Sequence, residues 1–516
     1  MGKLKQIFAG AMGSNNPIYR TAKPHEMIMA SATSAAKMTF YCLLMYVSYA
    51  MNLGFGIAVT VTGIIIQAKT IFDGVTDPIV AVVFDRLPMT KHGKIRLFLL
   101  AAWGINAISA ILIFCVCSGR MSGVPGIVVF VILYALFVIG YTMLSISGSQ
   151  VIGSALTNDP KQRPFINFFH SVYQYLGPII LNTIVSFAIL PRHNDQYDLA
   201  CLSEIALVGC ALAFVFEMIT IIGISRIDTP EYLGNLTALG GKQTKVGIKE
   251  MVEIFSKNKP MRCYLVTGIT DKIASNSSSQ TIVTTMMSGI LIANYKAATM
   301  ITNASTIISF LFAFVAGVLL AKYGVKKITS WFSAVNIFIS GAMFALCVYL
   351  GPTGMNQIGK GGTVMMVYVV FSMAVASTKI ILNVAEGMMR TDIVDYELER
   401  SGNYMPGTVG AVYSFLEKCI ASFGSTIASF AVAAIGYTTV MPQKGDPATW
   451  PILWVTMILL YGLPMIGWAF NIVAMRFYEL DYDRMVEVQT NIAEKKAAAK
   501  AAMKAEAQAP KAESAK

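Results

Sequence analysis

The sequence predicts an all-α membrane protein of about twelve transmembrane helices, arranged as two six-helix halves. Three observations lead to this fold class. Of the 516 residues, 55% are hydrophobic and 13% are charged, whereas a soluble domain carries roughly 25% charge. The apolar residues recur in runs of about 20, which is the length of a membrane-spanning helix. The lysines and arginines concentrate in every second connection between those runs, as in chains that cross a membrane repeatedly.

The N-terminal part consists of a polar segment followed by six apolar runs. Residues 1–31 are of mixed polarity, and no short apolar stretch with a small-residue cleavage site follows them. We therefore predict a cytoplasmic segment rather than a signal peptide. Residues 32–225 form the predicted N-terminal half. Its spans are 32–55, 57–83, 97–118, 124–149, 165–190 and 201–225.

The longest predicted cytoplasmic connection, 226–261, divides the runs equally between two halves, as an internal duplication would. Its end, Gly247 to Lys257, has apolar residues that suit a short interfacial helix, although a plain linker explains them as well. Residues 262–476 form the predicted C-terminal half. Its spans are 262–291, 295–321, 328–350, 364–387, 408–437 and 451–476.

Residues 477–516 are predicted to form a charged cytoplasmic tail. After about residue 484 the tail is rich in Ala, Lys and Glu. Charges at this spacing support a solvated helix, and we expect the tail to have no apolar face.

The positive charge of the chain indicates its orientation rather than a nucleic-acid partner. The net charge is +12, and it lies in the connections of one side, with no soluble basic domain to bind nucleic acid. The positive-inside rule then places both termini in the cytoplasm of a plasma membrane, as in a bacterial inner membrane. The eight cysteines and four histidines are scattered, so neither a disulfide framework nor a metal cluster is predicted.

Ionisable residues within the second span provide the strongest functional signal. Lys69, Asp73 and Asp77 follow one another at intervals of four residues, so they share one helix face. Two neighbouring carboxylates repel when both are ionised, which favours the binding of a proton, a cation or a basic partner. Sodium prefers oxygen ligands, and Thr76 offers a hydroxyl. The alternative is a structural salt bridge in which Lys69 is the internal counter-ion of Asp73.

Other polar residues within the apolar runs are candidates for a solute path. They include Lys37 in the first span and Asn167 and His170 in the fifth. Such residues either face a cavity or form hydrogen bonds to another helix. Further charged candidates in the C-terminal half are Asp271, Lys272, Lys379, Glu386, Glu417 and Lys418.

The stretch from Phe72 to Pro78, with the sequence FDGVTDP, precedes the basic turn Gly93-Lys94-Ile95-Arg96. This combination resembles the glycoside–pentoside–hexuronide:cation symporter family of the major facilitator superfamily, to which the melibiose carrier belongs. Two further matches are Thr391-Asp392-Ile393-Val394-Asp395-Tyr396 and Asn258-Lys259-Pro260. The resemblance covers nearly the whole chain, and it implies a major-facilitator-type fold and rocker-switch alternating access.

The resemblance also implies roles for individual residues. The cation-binding carboxylates of the family fall on Asp73 and Asp77, and their polar neighbours fall on Thr76 and Thr142. A lysine near both the cation and the solute falls on Lys418, with Ser414 one turn earlier.

Three positions depart from the family's sugar carriers. Ser145 stands where the melibiose carrier has a sugar-binding aspartate, Ser149 replaces its stacking tryptophan, and Asn167 replaces an arginine. A sugar site uses an aromatic platform and bidentate polar groups, so these replacements argue against a galactoside.

By resemblance we expect cation-coupled symport of a small polar solute, such as a glycoside, sugar or sugar acid. The expected coupling ion is sodium or a proton. We expect the protein to lie in a lipid bilayer and to function as a monomer. We expect no enzyme activity, no cofactor, and no metal beyond a possible sodium at Asp73 and Asp77. The alternatives are a lipid or lysolipid carrier and a membrane sensor that does not transport.

Overall fold

The computed structural model describes residues 21–88, 90–147, 152, 156–157, 162–230, 256–401, 413, 416–481, 483–488, 490–492 and 494. Over these residues the regular structure is helical and contains no strand. The predicted all-α fold is therefore confirmed for this part of the chain.

Fifteen α-helices are labelled in chain order among the described residues. They are α1 Pro24–Ala30, α2 Thr33–Tyr49, α3 Val59–Arg86, α4 Ile95–Ile111, α5 Gly123–Ile146, α6 Arg163–Ile184, α7 Leu199–Gly223, α8 Lys259–Ser278, α9 Thr281–Thr285, α10 Tyr295–Gly354, α11 Asn356–Lys360, α12 Thr363–Ser401, α13 Phe423–Ala434, α14 Trp450–Met457 and α15 Leu463–Phe477. Five of them continue as π-helical turns, at Ala50–Gly54, Leu112–Cys117, Val185–Ile189, Met286–Leu291 and Ile458–Gly462.

Nine helices within the described residues are long and apolar enough to cross a membrane. Many of their outward side chains are apolar and exposed, such as Ile108, Leu311 and Phe338, which suits a lipid environment. Three predicted spans are not among the nine. The charges of α3 lower its apolar character, the run 262–291 is divided between α8 and α9, and 408–437 is described only in part. The count of twelve and the division into halves remain predictions.

The basic turn at Gly324 separates two membrane-spanning segments within α10. These segments are Tyr295–Leu320 and Lys322–Gly354, close to the predicted 295–321 and 328–350. Gly324 has φ 76° and ψ 162°, a conformation that residues with a side chain rarely adopt. The glycine therefore allows the chain to reverse direction within a very short connection.

Both ends of the chain differ from the prediction. The helical structure begins at Pro24 rather than at residue 32, and Met27 in α1 is buried. In the tail, Val488 and Ile492 are buried at 0% and 5% exposure, and Arg484 pairs with Glu399 at 2.8 Å. The expectation of no apolar face in the tail is therefore wrong, because two apolar residues four positions apart share one helix face and are buried.

The proposed interfacial helix from Gly247 to Lys257 lies almost entirely outside the described residues. The central connection is described only at its ends. Here Asp228 is fully buried and accepts hydrogen bonds from the backbone N–H groups of Lys94, Ile95 and Arg96. The carboxylate thus caps the N-terminus of α4 from a distant part of the chain.

Packing between distant helices brings the second predicted span next to the eleventh. Helix α3 packs against α5 on one side and α13 on the other, and α6 packs against α10. A Cβ atom at Gly63 would lie 2.7 Å from the side chain of Ser429, so the absence of a side chain allows α3 and α13 to approach closely. Thr426 donates a hydrogen bond to the side chain of Gln67 at 2.7 Å across this contact.

One end of the molecule is closed by the connection between α13 and α14. The side chain of Asn52 donates to Thr439 O at 2.7 Å and accepts from the backbone N–H of Met441 at 3.0 Å. The Tyr49 hydroxyl donates to Pro442 O at 2.6 Å, and Lys444 pairs with Asp195. These contacts join the ends of the N-terminal helices to a loop of the C-terminal part.

Candidate cation and solute site

The carboxylate pair predicted in the second span lies on α3, facing α5 and the helical residues just before α13. Asp73 is buried, and its Oδ1 accepts a hydrogen bond from the Thr142 hydroxyl at 2.9 Å. Thr142 itself is fully buried, so this bond holds the inner carboxylate in one orientation. The contact joins two helices that are far apart in the sequence.

Lys418 bridges the two carboxylates. Its Nζ lies 3.1 Å from Asp73 Oδ2 and also donates a hydrogen bond to Asp77 Oδ2. The ammonium group carries three donors, so it can serve both acids at once. The side chain passes over Gly74, where a Cβ would be 3.5 Å from the lysine Cδ. The lysine side chain therefore lies against α3 between the two acids, at a distance where an added Cβ would make an ordinary van der Waals contact.

The two carboxylates differ in their access to solvent. The side chain of Asp77 is 36% exposed, whereas that of Asp73 is 12% exposed. Because charges interact more strongly where water is excluded, the inner acid depends more on its protein partners. The outer acid, Asp77, is the more accessible of the two from solvent.

Thr76 contributes a hydroxyl beside the inner acid. Its Oγ1 donates to the backbone oxygen of Asp73 at 3.1 Å and lies 3.5 Å from the Thr142 hydroxyl. Carboxylate and hydroxyl oxygens are the ligands that a hard cation prefers, so the donor set fits sodium as well as a proton. The structure brings together Asp73, Thr76, Asp77 and Thr142, whose function as cation ligands remains a prediction.

Lys69 interacts electrostatically with Asp73, but its ammonium lies closest to an aromatic ring among the contacts found for it. Its ammonium lies 5.7 Å from the centre of the Tyr141 ring, a distance at which a cation is attracted to the aromatic face. Among the described residues, Lys418 is the cation in contact with Asp73. The role of Lys69 as an internal counter-ion of Asp73 remains a prediction. The i,i+4 spacing brings Lys69 near the acid, but a lysine from the facing helix can approach both acids together.

The predicted solute-side residues are only partly grouped. Lys37 on α2 interacts electrostatically with Asp73, Asp77 and Lys418, and His170 on α6 interacts with Lys37. The Nδ1 atom of His170 is buried without a hydrogen-bond partner among the described residues. Ser145 is half-buried, one turn after Thr142. Ser149, Ser414 and the side chain of Asn167 lie outside the described residues.

Two features near the site were missed from the sequence. Tyr141 stacks under Lys69 and lies 6.4 Å from the ring of Tyr41, and an aromatic residue next to Thr142 was the available signal. Glu217 is buried in α7 and accepts a hydrogen bond from Thr33 at 3.2 Å. Its position as an acid in the middle of an apolar run should have identified it.

A second charged cluster adjoins the first one. Lys272 on α8 pairs with Glu417 at 3.5 Å, and Glu417 precedes the bridging Lys418 in the chain. The Tyr413 hydroxyl donates to Glu386 on α12. Lys272, Glu386 and Glu417 thus have partners on other helices, which reduces the cost of placing their charges within the membrane.

Comparisons with known proteins found a family model and two relatives that match most of the chain. A family model described as "MFS/sugar transport protein" matches residues 28–482. The Escherichia coli (strain K12) protein described as "Putative glycoside/cation symporter YagG" is 19% identical over 456 residues, which cover 86% of this chain and 89% of that protein. The Bacillus subtilis (strain 168) protein described as "Uncharacterized symporter YjmB" is 21% identical, covering 84% of this chain and 87% of the relative.

Solved structures of transporters have a similar fold. The nucleoside transporter NupG has a TM-score of 0.56 at 13% identity, covering 88% of this chain and 99% of NupG. A D-xylose-proton symporter has a TM-score of 0.56 at 14% identity, covering 86% of this chain and 97% of the symporter. The family resemblance inferred from the motif between Phe72 and Pro78, and the predicted major-facilitator-type fold, are confirmed.

Proposed function

The chain belongs to the family of MFS/sugar transport proteins, and on that premise we propose that it couples the uptake of a small polar solute to a cation. The solute is a glycoside, sugar or sugar acid, carried by alternating access of the site to the two sides of the membrane. The symporter names of two full-length relatives support coupling. The observation that carries the proposal is the bridge from Lys418 to Asp73 and Asp77.

In this proposal Lys418 and the coupling ion compete for the same carboxylates. The ammonium now occupies the position where a proton or sodium would bind. Asp77 is the more exposed acid, so the ion meets it first. Asp73 and the Thr142 hydroxyl then complete an oxygen environment deeper in the protein. Binding of the ion releases the ammonium of Lys418 from its partners.

The released ammonium links the ion to the solute. A lysine freed from two acids is available for a polar solute. Lys37, which interacts electrostatically with Lys418, and His170, which interacts with Lys37, belong to the same proposed solute-side set. Ser145, Ser149, Asn167 and Ser414 complete the proposed solute-side set. If the ion raises the affinity for the solute by some factor, the solute raises the affinity for the ion by the same factor.

The proposal also includes the membrane location, the coupling ion and the number of copies. A multi-pass transporter of this family with basic loops on one side fits a bacterial inner membrane, with both termini in the cytoplasm. The coupling ion is sodium or a proton, and a single copy of the chain holds all the residues of the proposed site.

The decisive experiment is uptake into vesicles that contain the purified protein. A thermal-shift screen of monosaccharides, methyl glycosides and sugar acids first identifies a ligand, because a ligand stabilises the state that it binds. Uptake is then measured under an imposed sodium gradient at constant pH, and under a pH gradient without sodium. We expect Asp77→Asn to abolish gradient-driven uptake and to preserve solute exchange between equal cation concentrations.

Glu204→Gln is the matched control, because Glu204 pairs with Arg192 outside the site. We expect this variant to retain gradient-driven uptake. If Asp77→Asn accumulates solute as well as the unmodified protein does, the coupling proposal is wrong.

A further inference from the structure

A second cavity lies among the helices of the C-terminal part, apart from the carboxylate pair. It is bounded by α9 and its π-helical continuation, by α10, by α12 and by the π-helical turn Ile458–Gly462. Its volume of about 350 Å³ falls in the range of small-molecule sites, roughly 300–1,000 Å³. The proposed cation exchange does not use any residue of its wall.

One wall of this cavity carries a lysine with no acidic partner among the described residues. Lys379 on α12 lines the cavity, and none of the ion pairs found in the described part of the chain includes it. A cation within a membrane-spanning segment is costly unless it is paired, hydrated or used. Two other lysines of the C-terminal helices, Lys272 and Lys418, both contact carboxylates.

Another helix that lines the cavity provides an unused hydroxyl. Ser305 on α10 is 6% exposed, and its Oγ has no hydrogen-bond partner among the described residues. Its neighbours Thr302 and Thr306 also line the cavity, but each donates to a carbonyl one turn earlier in its own helix, at 3.0 and 2.9 Å. A buried hydroxyl left unpaired is unfavourable, so Ser305 is suited to a hydrogen bond with a ligand.

Two tyrosines complete the wall. The hydroxyls of Tyr368 and Tyr461 lie 3.4 Å apart, and both residues line the cavity. Tyrosine offers an apolar ring face together with a polar group. The cavity therefore combines a cation, a free hydroxyl and aromatic surface in a space of ligand size.

We propose that this cavity is a solute subsite that binds an anionic group, with Lys379 supplying the charge and Ser305 a hydrogen bond. The inference rests on the proposed function, because it names the chemistry of a solute that the protein would carry. The anionic group is a carboxylate or a phosphate ester, since both present oxygens to an ammonium and a hydroxyl.

The test measures equilibrium binding to the full-length purified protein by calorimetry. The probes are D-glucose, D-glucuronate and D-glucose 6-phosphate, which share a ring and differ at one carbon. We expect at least one of the two anions to bind about tenfold more tightly than glucose, as a charge-assisted hydrogen bond provides. If glucuronate binds more tightly than glucose, the anionic group is a carboxylate; if glucose 6-phosphate does, it is a phosphate ester.

Variants of cavity residues test whether the tighter binding of the anion arises in this cavity. Lys379→Met should remove the preference for the anion, and Lys379→Arg should retain most of it. Lys360→Met is the control, because Lys360 is an exposed lysine at the end of α11. Ser305→Ala should weaken anion binding severalfold. Its control is Ser309→Ala, one turn further along α10, where the hydroxyl already bonds to Thr306 O at 2.7 Å.

A second measurement covers the case in which Lys379→Met does not fold. A cysteine at position 305, made by Ser305→Cys in a chain without its native cysteines, should react with a maleimide more slowly when the anion is present. The proposal is overturned if neither anion binds better than glucose, if the preference survives Lys379→Met, or if the anion leaves the labelling rate unchanged.

This result is separable from that of the coupling experiment. Binding is measured without a cation gradient and with Asp73 and Asp77 intact. A failure of coupling with a preserved anion preference would overturn the proposed function and leave the subsite standing. If a gradient drives uptake of a neutral solute and no anion preference is found, the subsite is overturned and the proposed function stands.

Discussion

At the scale of single residues, Lys418 determines how the carboxylate pair is held. One ammonium serves two acids that differ in exposure, and the inner acid has a second donor in Thr142. Hydrogen bonds to a charged group contribute about 1.5–3 kcal/mol. The orientation of Asp73 therefore depends on a hydroxyl as well as on an ion pair.

We expect Thr142→Val to weaken cation binding about tenfold, because it removes the donor to Asp73 Oδ1 while keeping the side-chain shape. The measurement is the cation concentration that gives half-maximal solute uptake. Thr220→Val is the matched control. Thr220 is also fully buried, but its hydroxyl donates only to Phe216 O in its own helix. Equal cation requirements in both variants would contradict a ligand role for Thr142.

At the scale of helices, the contact between α3 and α13 brings Lys418 to the acids. Gly63 allows it, because a Cβ there would overlap the side chain of Ser429. Thr426 and Gln67 add a hydrogen bond at the same crossing. Small residues at such a crossing let helix backbones approach closely within a membrane, so the site depends on a residue ten positions away from Asp73.

Gly63→Ala should destabilise this helix contact by about 1–3 kcal/mol, as overpacking generally does. We expect a lower melting temperature of the purified protein and weaker coupled uptake. Gly104→Ala is the matched control, since Gly104 lies within α4 and has nothing within 4 Å of an added Cβ. That variant should be neutral or slightly stabilised because alanine favours helix. A melting temperature for Gly63→Ala equal to that of the control would disprove the close contact.

At the scale of the whole molecule, the described conformation is closed at one end. Asn52, Tyr49 and Lys444 connect the ends of N-terminal helices to the loop between α13 and α14. Alternating access requires such a closure to form and break. The polar, hydrogen-bonded character of these contacts suits a closure that opens, because each group can exchange its partner for water.

Asn52→Ala should shift the protein towards a state that is open at this end. The substitution leaves Thr439 O and the N–H of Met441 without their partner. We expect faster maleimide labelling of a cysteine at position 45, made by Met45→Cys in a chain without its native cysteines. Asn106→Ala is the control, because the Asn106 side chain donates within its own helix, to Ala102 O. Labelling that is equally slow in both variants would exclude Asn52 from the closure.

The orientation in the membrane is tested by labelling at two turns. Lys326→Cys, next to the turn at Gly324, should be protected from a membrane-impermeant maleimide added to intact cells. Lys360→Cys should react, because Lys360 ends α11, at the opposite end of the segment Lys322–Gly354 from Gly324. The reverse pattern would refute the placement of both termini in the cytoplasm, which follows from the positive-inside rule.

The sequence by itself determined the helical class, the membrane setting and the family resemblance. These depend on local features, namely runs of apolar residues, loop charge, and the spacing of Asp73, Thr76 and Asp77 along one helix face. Helix boundaries at Gly324 were predictable for the same reason, because the turn residues are adjacent in the chain. The departures at Ser145, Ser149 and Asn167 likewise could be seen without a structure.

Only the tertiary structure decided which partner each charge has. Lys69 is four residues from Asp73, yet Lys418, more than three hundred positions away, contacts the acid. The cavity with Lys379 and Ser305, and the burial of Val488 and Ile492 in the tail, also depend on helices that meet after folding. Periodicity specifies which face of a helix a residue occupies, but the packing of distant helices determines what lies opposite that face.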